Sequence, residues 1–315
     1  MSDKTLYIAI LSGDDCGNSG HKLMHALNKY VNCKARCIVA RGAPSAYPYK
    51  RDIIVEGNPQ NRKLATQVIN EADIIHIKGD QVIEAKFLGI PLPKNKPIIV
   101  TRSGSIYRRN YRKIYRGDLK LSRIRTAFMA DLAFADTDVI FIPHPIDTND
   151  LVPLPLEKRS GVLTISHSPT NRRAKRTELI QRAIAGIPNI RLDIIQKVKY
   201  NECLRRKGLA HIFYDRIQQG VGSYGNSAIE ACALGLATIS YISDQARNVK
   251  PEMLGVNNCP ILSTNPNGLR QIVQKLVNEH ELRKSLMQKC REWAVKWHSS
   301  EVVAKKFDEL YRKMV

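Results

Sequence analysis

Short apolar runs alternate with amphipathic stretches along nearly the whole chain. Residues 6–11 form the first apolar run, and residues 20–30 follow with Leu23, Met24 and Leu27 at helical spacing. Strands that are apolar on both faces and separated by helices are typical of a parallel sheet covered on both sides. The pattern therefore predicts an α/β protein built on parallel sheets.

The alternation falls into two series. The first predicts further strands at residues 37–40, 74–77, 97–101 and 139–142, with a helix at 62–69. The second predicts strands at 162–166, 191–195, 210–214 and 237–242, and helices at 177–185, 227–234, 269–277, 279–297 and 300–314. Residues 142–156 carry four prolines and no helical period, so we expect the connection between two doubly wound domains there. Ligands of such sheets bind at the carboxyl ends of the strands, and we expect these edges to line an interdomain cleft.

Composition narrows the class of protein. The 315 residues, 43% apolar and 25% charged, suit two globular domains of about 150 residues each. No apolar run approaches the roughly 18 residues of a membrane-spanning helix, and the start of the chain is typical of a first strand rather than a signal peptide. Seven cysteines without CxxC spacing indicate neither a zinc site nor a disulfide framework, so we expect a cytoplasmic location.

The charge balance is unusual, with 50 Lys and Arg against 29 Asp and Glu, a net charge of +21. Such an excess predicts a polyanionic partner or an anionic surface. Nine of the cations and one acid lie within residues 102–125, where tyrosines recur every four residues. This interleaving suits a phosphate backbone with stacked or extruded bases, and the alternative is a tyrosine stripe packed on the core beneath a solvated basic face. The candidate contacts to a nucleic acid are Arg102, Arg108, Arg109, Arg112, Lys113, Arg116, Tyr107 and Tyr111.

Two polar segments that follow predicted strands suit an anion. Residues 12–20 place three glycines between a strand and a helix N-terminus, where backbone amides can approach a phosphate; a flexible turn is the alternative. Residues 164–177 gather Arg172, Arg173 and Lys175 at the start of a helix. Cations at a helix N-terminus oppose the helix dipole, so they are locally unfavourable unless an anion is bound there. A solvated basic turn is the alternative.

A third segment, residues 220–235, is a glycine-rich turn that leads into a helix. Glu230 lies one turn inside this helix, beside small and apolar residues. A carboxylate in that place can accept two hydrogen bonds from a ribose diol, while the amides of Asn226 and Ser227 face a phosphate. Without such a ligand, a glutamate in a helix is usually a surface residue.

The second and third segments, SHSPTNRRAKRTELI and GSYGNSAIEACALGLATISY, resemble elements of the retaining GT-B glycosyltransferases of the glycosyltransferase group 1 family. The resemblance is good over residues 160–245 and thinner in the N-terminal half, where HIKGD, RSGSIYRR and IPHPID look like family landmarks. It implies two Rossmann-like doubly wound domains facing across a cleft. On this basis we expect an acceptor-side domain at residues 1–148, a nucleotide-sugar domain at 149–298, and a helix at 299–315 that crosses back to the first domain.

Roles carry over by position. The resemblance implies that Arg172 and Lys175 neutralise the donor diphosphate, that Glu230 binds the ribose, and that His76 contacts the donor sugar, with a core position as the alternative for His76. Further contacts to the nucleotide-sugar are implied for Gly13, Gly17, Asn18, Thr177, Tyr224, Gly225, Asn226 and Ser227.

One position departs from the family pattern. Gly222 stands where the family has its first glutamate, a usual contact of the transferred sugar. Asp215, or one of Gln218 and Gln219, is the candidate substitute.

The resemblance also implies a reaction that retains the anomeric configuration and requires no metal. The expected donor is a UDP-sugar, with UDP-glucose as the default. The D-x-D at residues 136–138 lies beside a predicted strand, where a capping or edge role is expected rather than a metal site.

Three functions fit these features. The first is glycosylation of a 5-hydroxymethyl pyrimidine in double-stranded DNA, as in bacteriophage DNA modification in the host cytoplasm, and the basic segment favours it. The second is synthesis of a cell-surface polysaccharide or lipid-linked glycan on an anionic membrane face, which would place exposed apolar residues beside the cations. The third is nucleic-acid binding by an inactive GT-B scaffold.

Overall fold

The computed structural model describes residues 4–41, 49–79, 85–133, 138–218, 222–244, 246 and 259–315, and the statements below concern these residues. Asp80, Asp136 and Gln219, which the sequence singled out, lie outside them. The chain divides into two compact units: unit 1 is Met1–Pro145 with Ser300–Val315, and unit 2 is Ile146–Ser299. Ile146 and Ser299 pair in a parallel bridge, so the two chain ends of unit 2 lie side by side.

Unit 1 is built on a sheet with the strand order β3-β2-β1-β4-β7-β8-β9, in which every neighbouring pair is parallel. Its described strands are β1 Leu6–Ser12, β2 Cys33–Val39, β3 Ile53–Ile54, β4 Ile74–Gly79, the hairpin β5 Lys86–Phe87 and β6 Ile90–Pro91, β7 Ile98–Arg102, β8 Ile124–Ala127 and β9 Val139–Phe141. Its helices are α1 Ser19–Tyr30, α2 Pro59–Glu71, α3 Ser105–Leu121 and α4 Ala130–Ala133. The predicted parallel α/β architecture is confirmed.

Unit 2 has a second parallel sheet, with the order β11-β10-β12-β13-β14. Its described strands are β10 Leu163–His167, β11 Ile190–Ile194, β12 Ile212–Tyr214, β13 Ala237–Ser240 and β14 Leu262–Ser263. Its helices are α5 Arg172–Lys175, α6 Thr177–Ile184, α7 Tyr200–Gly208, α8 Asn226–Ala233, α9 Leu269–Asn278 and α10 His280–His298. A last helix, α11 Ser300–Arg312, belongs to unit 1, where its face Val303, Phe307 and Tyr311 is fully buried.

The strand orders locate the ligand edges. In unit 1 the chain runs outward in opposite directions from β1 and β4, and in unit 2 it does so from β10 and β12. The helices that follow such strands diverge, which leaves a crevice outside their carboxyl ends. Ligand-binding residues are therefore expected after β1 and β4 in unit 1 and after β10 and β12 in unit 2.

The sequence pattern did not predict the strands β3, β5, β6, β8 and β14 or the helices α3, α4 and α7. Two-residue strands are too short to show a period, and β8 (IRTA) mixes polar with apolar residues. Helix α7 (YNECLRRKG) has almost no apolar face because it is held by buried polar groups. Among the described residues, no helix combines the length and the apolarity needed to cross a membrane.

One ion pair in unit 1 is almost completely buried. Arg102 ends β7, and its Nε donates to Asp118 Oδ2 at 2.8 Å while a second nitrogen pairs with Oδ1. Its remaining nitrogen donates to the Gly79 carbonyl at 3.2 Å. The pair therefore ties α3 to the ends of β7 and β4.

We expect Asp118→Asn to lower the free energy of unfolding by about 3–5 kcal/mol, because it leaves the Arg102 charge buried without a counter-charge. Urea unfolding followed by circular dichroism measures this. Glu301→Gln is the matched control, since it breaks the exposed pair with Lys305 and should cost under about 1 kcal/mol. Equal losses in both variants would contradict the buried-charge argument.

His76 lies in the core of unit 1 between β7 and α11. Its Nε2 is 2.6 Å from Thr101 Oγ1 and its Nδ1 is 2.6 Å from the Tyr311 hydroxyl. Burial, with the nearby Lys78 charge, lowers the pKa of His76 from 6.5 to about 3.

Because this pKa is depressed in the folded protein, the neutral His76 contributes stability above pH 6.5 that is lost as the pH falls toward 3. We expect His76→Gln, which does not titrate, to lose less stability between pH 7 and pH 4 than the wild type loses. Urea unfolding of both proteins at each pH measures the difference. An identical pH dependence would show that His76 does not couple protonation to unfolding.

Candidate functional site

A buried ion pair lies at the carboxyl edge of the unit 2 sheet. Asp215 directly follows β12 and is 1% exposed. Its Oδ1 accepts a hydrogen bond from Lys175 Nζ at 2.5 Å, and its Oδ2 accepts from the Gly225 N–H at 2.9 Å and from Ser240 Oγ at 3.3 Å. One carboxylate thus connects α5, the turn before α8, and the end of β13.

The positive charges beside this carboxylate outnumber its single negative charge. Burial raises the pKa of Asp215, but Lys175 and Arg216 together hold it well below its usual value. Arg216 Nε lies 3.9 Å from Asp215 Oδ2, is buried, and has no hydrogen-bond partner among the described residues. Two cations therefore face one anion, an arrangement that favours a bound anion. Arg216 was not predicted from the sequence; its place directly after β12, where the strand order reverses, is the signal that could have found it.

The short helix α5 brings two predicted residues to this edge. Its N-cap residue, Asn171, accepts a hydrogen bond from the Ala174 N–H at 3.0 Å, which starts the helix directly after the β10 loop. Arg172 is exposed at its start and donates from Nε to Gln196 Oε1 at 2.7 Å, and Lys175 is at its end. Both cations thus lie on one turn of helix beyond β10.

The residue that follows α5, Arg176, has a left-handed backbone with φ +54°, and α6 begins at the next residue. That residue, Thr177, is buried, and its hydroxyl lies 2.8 Å from His167 Nε2. Burial lowers the pKa of His167 to about 4, so the ring is neutral near pH 7 and anchors α6 to β10. The Thr177 side chain is therefore turned into the protein, where it helps to fix the start of α6.

Glu230 is a buried and paired carboxylate rather than a surface residue. Its Oε2 accepts from Lys207 Nζ at 2.9 Å, and its Oε1 accepts from the Tyr200 hydroxyl at 2.9 Å. Lys207 also donates to Ser227 Oγ at 3.0 Å. Both partners belong to α7, one of the helices that the pattern did not predict.

The start of α8 is open to a ligand in part. Ser227 Oγ lies 2.7 Å from Ser168 Oγ, which connects α8 to the loop after β10. The amides of a first helical turn have no partner within the helix, and those of Asn226 and Ser227 belong to that turn. The Asn226 Oδ1 atom is buried without a hydrogen-bond partner among the described residues. The Gly225 amide, by contrast, already donates to Asp215.

Tyr224 lies outside this group of side chains. Its ring packs edge-on against Trp293, with centroids 5.3 Å apart, and its hydroxyl is 3.3 Å from His298 Nε2. Tyr224 is buried, so the structure places it in the packing of α8 against α10.

In unit 1, the loop after β1 is held by the buried Asp15. Its Oδ1 accepts from the Gly20 N–H at 2.6 Å and from Ser12 Oγ at 3.0 Å. Lys78 Nζ and Arg51 Nη1 are each 3.3 Å from this carboxylate. Burial raises the pKa of Asp15, but the hydrogen bond from His21 and the charge of Lys78 hold it well below its usual value. The loop that carries Gly13, Gly17 and Asn18 is therefore a turn fixed by side-chain hydrogen bonds, with left-handed φ values of +68° at Gly17 and +56° at Asn18.

The side chains around this loop do not suit a metal ion. Asp15, His21 and Cys37 offer ligand atoms within 4.8 Å of one another. However, His21 Nε2 accepts from the Asp52 N–H at 2.8 Å, so Nδ1 carries the proton that is donated to Asp15. Both imidazole nitrogens are thus in use, and the adjacent lysine and arginine supply the positive charge.

Helix α3 divides the predicted nucleic-acid contacts into two groups. Tyr107 is 1% exposed, and Arg108 pairs with Asp131 at 2.6 Å, so both lie on the packed face with the buried Arg102. Tyr111 is half-buried on the same side, beside Tyr107 at a centroid distance of 6.3 Å. This face is therefore a tyrosine stripe packed on the core, which is the alternative that the sequence left open. The exposed cations are Arg109, Arg112, Lys113, Arg116 and Lys120, and the last four share one face by helical spacing.

Known structures identify the fold. No protein-family model matches the chain, and no curated protein matches its sequence. HepE from Anabaena, solved in complex with UDP and glucose, is similar with a TM-score of 0.72 and 11% identity, covering 98% of this chain and 99% of that one. Sucrose-phosphate synthase from Thermosynechococcus elongatus has a TM-score of 0.66 and 14% identity over 97% and 98% of the two chains.

A UDP-N-acetylglucosamine 2-epimerase is also similar, with a TM-score of 0.55 and 13% identity over 98% of this chain and 96% of that one. Identities this low establish architecture and leave the chemistry to the site. The two parallel-sheet units and the full-length matches show that this chain has the GT-B fold.

Proposed function

We propose that this protein is a glycosyltransferase that moves a sugar from a UDP-sugar to a hydroxyl acceptor. The observation that carries the proposal is the cluster at the carboxyl edge of unit 2, where Lys175 and Arg216 meet Asp215 beside the turn that opens α8. Arg172 lies on the same turn of α5 as Lys175. Cations beside free helix amides suit a diphosphate. The similarity to HepE, which was solved with UDP and glucose, supports a UDP-sugar as the donor.

The proposed reaction uses these groups as a fixed electrostatic frame. The bond between the anomeric carbon and the diphosphate oxygen breaks, and the acceptor oxygen bonds to the same face of the sugar. Because the new bond forms on the face that the leaving group vacates, the configuration is retained, and the acceptor proton passes to the departing diphosphate. Arg172 and Lys175 stabilise the charge that develops on the leaving group, and the Glu230 carboxylate accepts hydrogen bonds from the ribose hydroxyls. No step in this scheme is assigned to a metal ion.

For the acceptor, we propose a 5-hydroxymethyl pyrimidine in double-stranded DNA. The net charge of +21 and the exposed cations of α3 support a phosphate backbone as partner. A membrane-associated glycan is the second candidate, because two apolar side chains, Ile106 and Leu119, are 41% and 50% exposed on the same helix.

Transfer from UDP-glucose to duplex DNA with and without 5-hydroxymethyl pyrimidines tests both candidates at low and high salt. Incorporation that falls steeply with salt supports the DNA acceptor. Hydrolysis of UDP-glucose without incorporation supports a glycan acceptor, and release of an epimerised sugar nucleotide would contradict the transferase. Absence of both turnover and UDP binding would indicate an inactive scaffold.

We expect Arg172→Ala to lower kcat for UDP-glucose turnover about 10²-fold, because it removes a cation from the leaving diphosphate. Arg173→Ala is the matched control, since Arg173 is an exposed arginine on the same turn of helix and should leave kcat within about threefold. Steady-state kinetics with UDP affinity from calorimetry measures both. Equal losses in the two variants would contradict a specific role for Arg172.

We expect neutralising Arg112, Lys113 and Arg116 to glutamine to flatten the salt dependence of DNA binding. Each lost phosphate contact reduces the slope of log K against log salt by about 0.9, so the slope should fall by roughly 2.7. Fluorescence anisotropy with a labelled duplex measures it. The control changes the same charge at Lys284, Lys289 and Lys296, exposed lysines of α10. Unchanged DNA binding with weakened binding to anionic vesicles would instead support the membrane candidate.

A further inference from the structure

The candidate site contains an acid that the family resemblance does not account for. Position 222, where the family's first glutamate would be, is glycine. Asp215 is the carboxylate that meets Lys175, at 2.5 Å. It is 1% exposed, and both of its oxygens are occupied by groups of the chain. A carboxylate in this state has no surface for a sugar hydroxyl, so its role differs from that of the missing glutamate.

We propose that Asp215 is a positioning residue for sugar transfer, which holds the Lys175 ammonium group against the carboxyl edge of the sheet and fixes the turn before α8 to it. This inference rests on the proposed function. Asp215 acts through Lys175 and does not touch the donor.

Geometry supports a positioning role. Lys175 is at the end of a four-residue helix, and a lysine side chain has several rotatable bonds, so without a partner its ammonium group would sample many positions. The Asp215 carboxylate fixes one position, and the same carboxylate fixes the Gly225 amide at 2.9 Å. The cation and the start of α8 are therefore held relative to each other before any donor binds, which is the preorganisation that stabilises a leaving diphosphate. An ammonium group has three donors, so Lys175 can keep this bond and still face a phosphate.

Charge supports the same role. The groups that face Lys175 are Asp215 and Arg216 from the end of β12, Lys207 from α7, and His167 from β10. Burial lowers the pKa of Lys175, and Arg216 and Lys207 lower it further, whereas Asp215 raises it. His167 is neutral near pH 7 because burial lowers its pKa to about 4. Removing the negative charge at position 215 should therefore let Lys175 lose its proton at lower pH.

The test is the pH profile of kcat for UDP-glucose turnover by the full chain, measured for the wild type and for Asp215→Asn. UDP-glucose hydrolysis serves as the readout, so the identity of the acceptor is not needed. We expect Asp215→Asn to lower kcat at least 10-fold, to move the alkaline limb of the profile down by about one pH unit or more, and to change UDP affinity less than about threefold. Asp215→Glu, which keeps the charge, should restore the position of the limb.

Ser240→Ala is the matched control. It removes a 3.3 Å hydrogen bond to the same carboxylate but leaves the charge, so the alkaline limb should stay in place. A kcat that falls in Asp215→Asn without any movement of the limb, as a purely structural role would give, overturns the proposal.

Lys175→Arg covers the case in which Asp215→Asn does not fold. A guanidinium does not titrate in this range, so the alkaline limb should disappear. A limb that persists at the same pH would show that it belongs to another group and would overturn the proposal. Absence of wild-type turnover and of UDP-sugar binding would instead refute the proposed function, and the role of Asp215 with it.

Discussion

Each unit holds its candidate ligand loop through one buried aspartate. Asp15 accepts a glycine N–H at 2.6 Å in unit 1, and Asp215 accepts one at 2.9 Å in unit 2. A buried carboxylate is tolerated when hydrogen bonds and counter-charges surround it, and Lys78 and Lys175 are among those counter-charges. The cationic character of both strand edges therefore follows from the way the loops are held, because each buried carboxylate requires cations beside it.

The same pairing of buried carboxylates with cations explains why part of the positive charge does not reach the surface. Part of the basic segment is internal, since Arg102 and Arg108 are bound to Asp118 and Asp131. What reaches the surface of α3 is a narrower set of cations on one helix face. A polyanionic partner would therefore meet a stripe of a few charges, with exposed apolar residues near it, rather than the nine basic residues of segment 102–125.

Much of the fold could be predicted because parallel strands in these units are continuous apolar runs, and their period is visible in the sequence. The candidate site was predictable where it lies on one short segment: Arg172 and Lys175 are three residues apart on a single turn of α5. Helix α7 was not predicted because its inward-facing side chains are polar: Tyr200 and Lys207 bind Glu230. Such packing leaves no apolar period in the sequence.

The sequence by itself determined the α/β class, the order of most elements, and the cations that α5 carries, because these depend on neighbours within a few positions. Only the tertiary structure decided which polar groups are exposed and which are paired. Lys175 meets Asp215 across 40 positions, and His76 meets Tyr311 across 235. Burial and charge compensation depend on such distant contacts, so the pairing of Asp215 with Lys175 and the internal place of His76 arise from the fold and leave no local pattern.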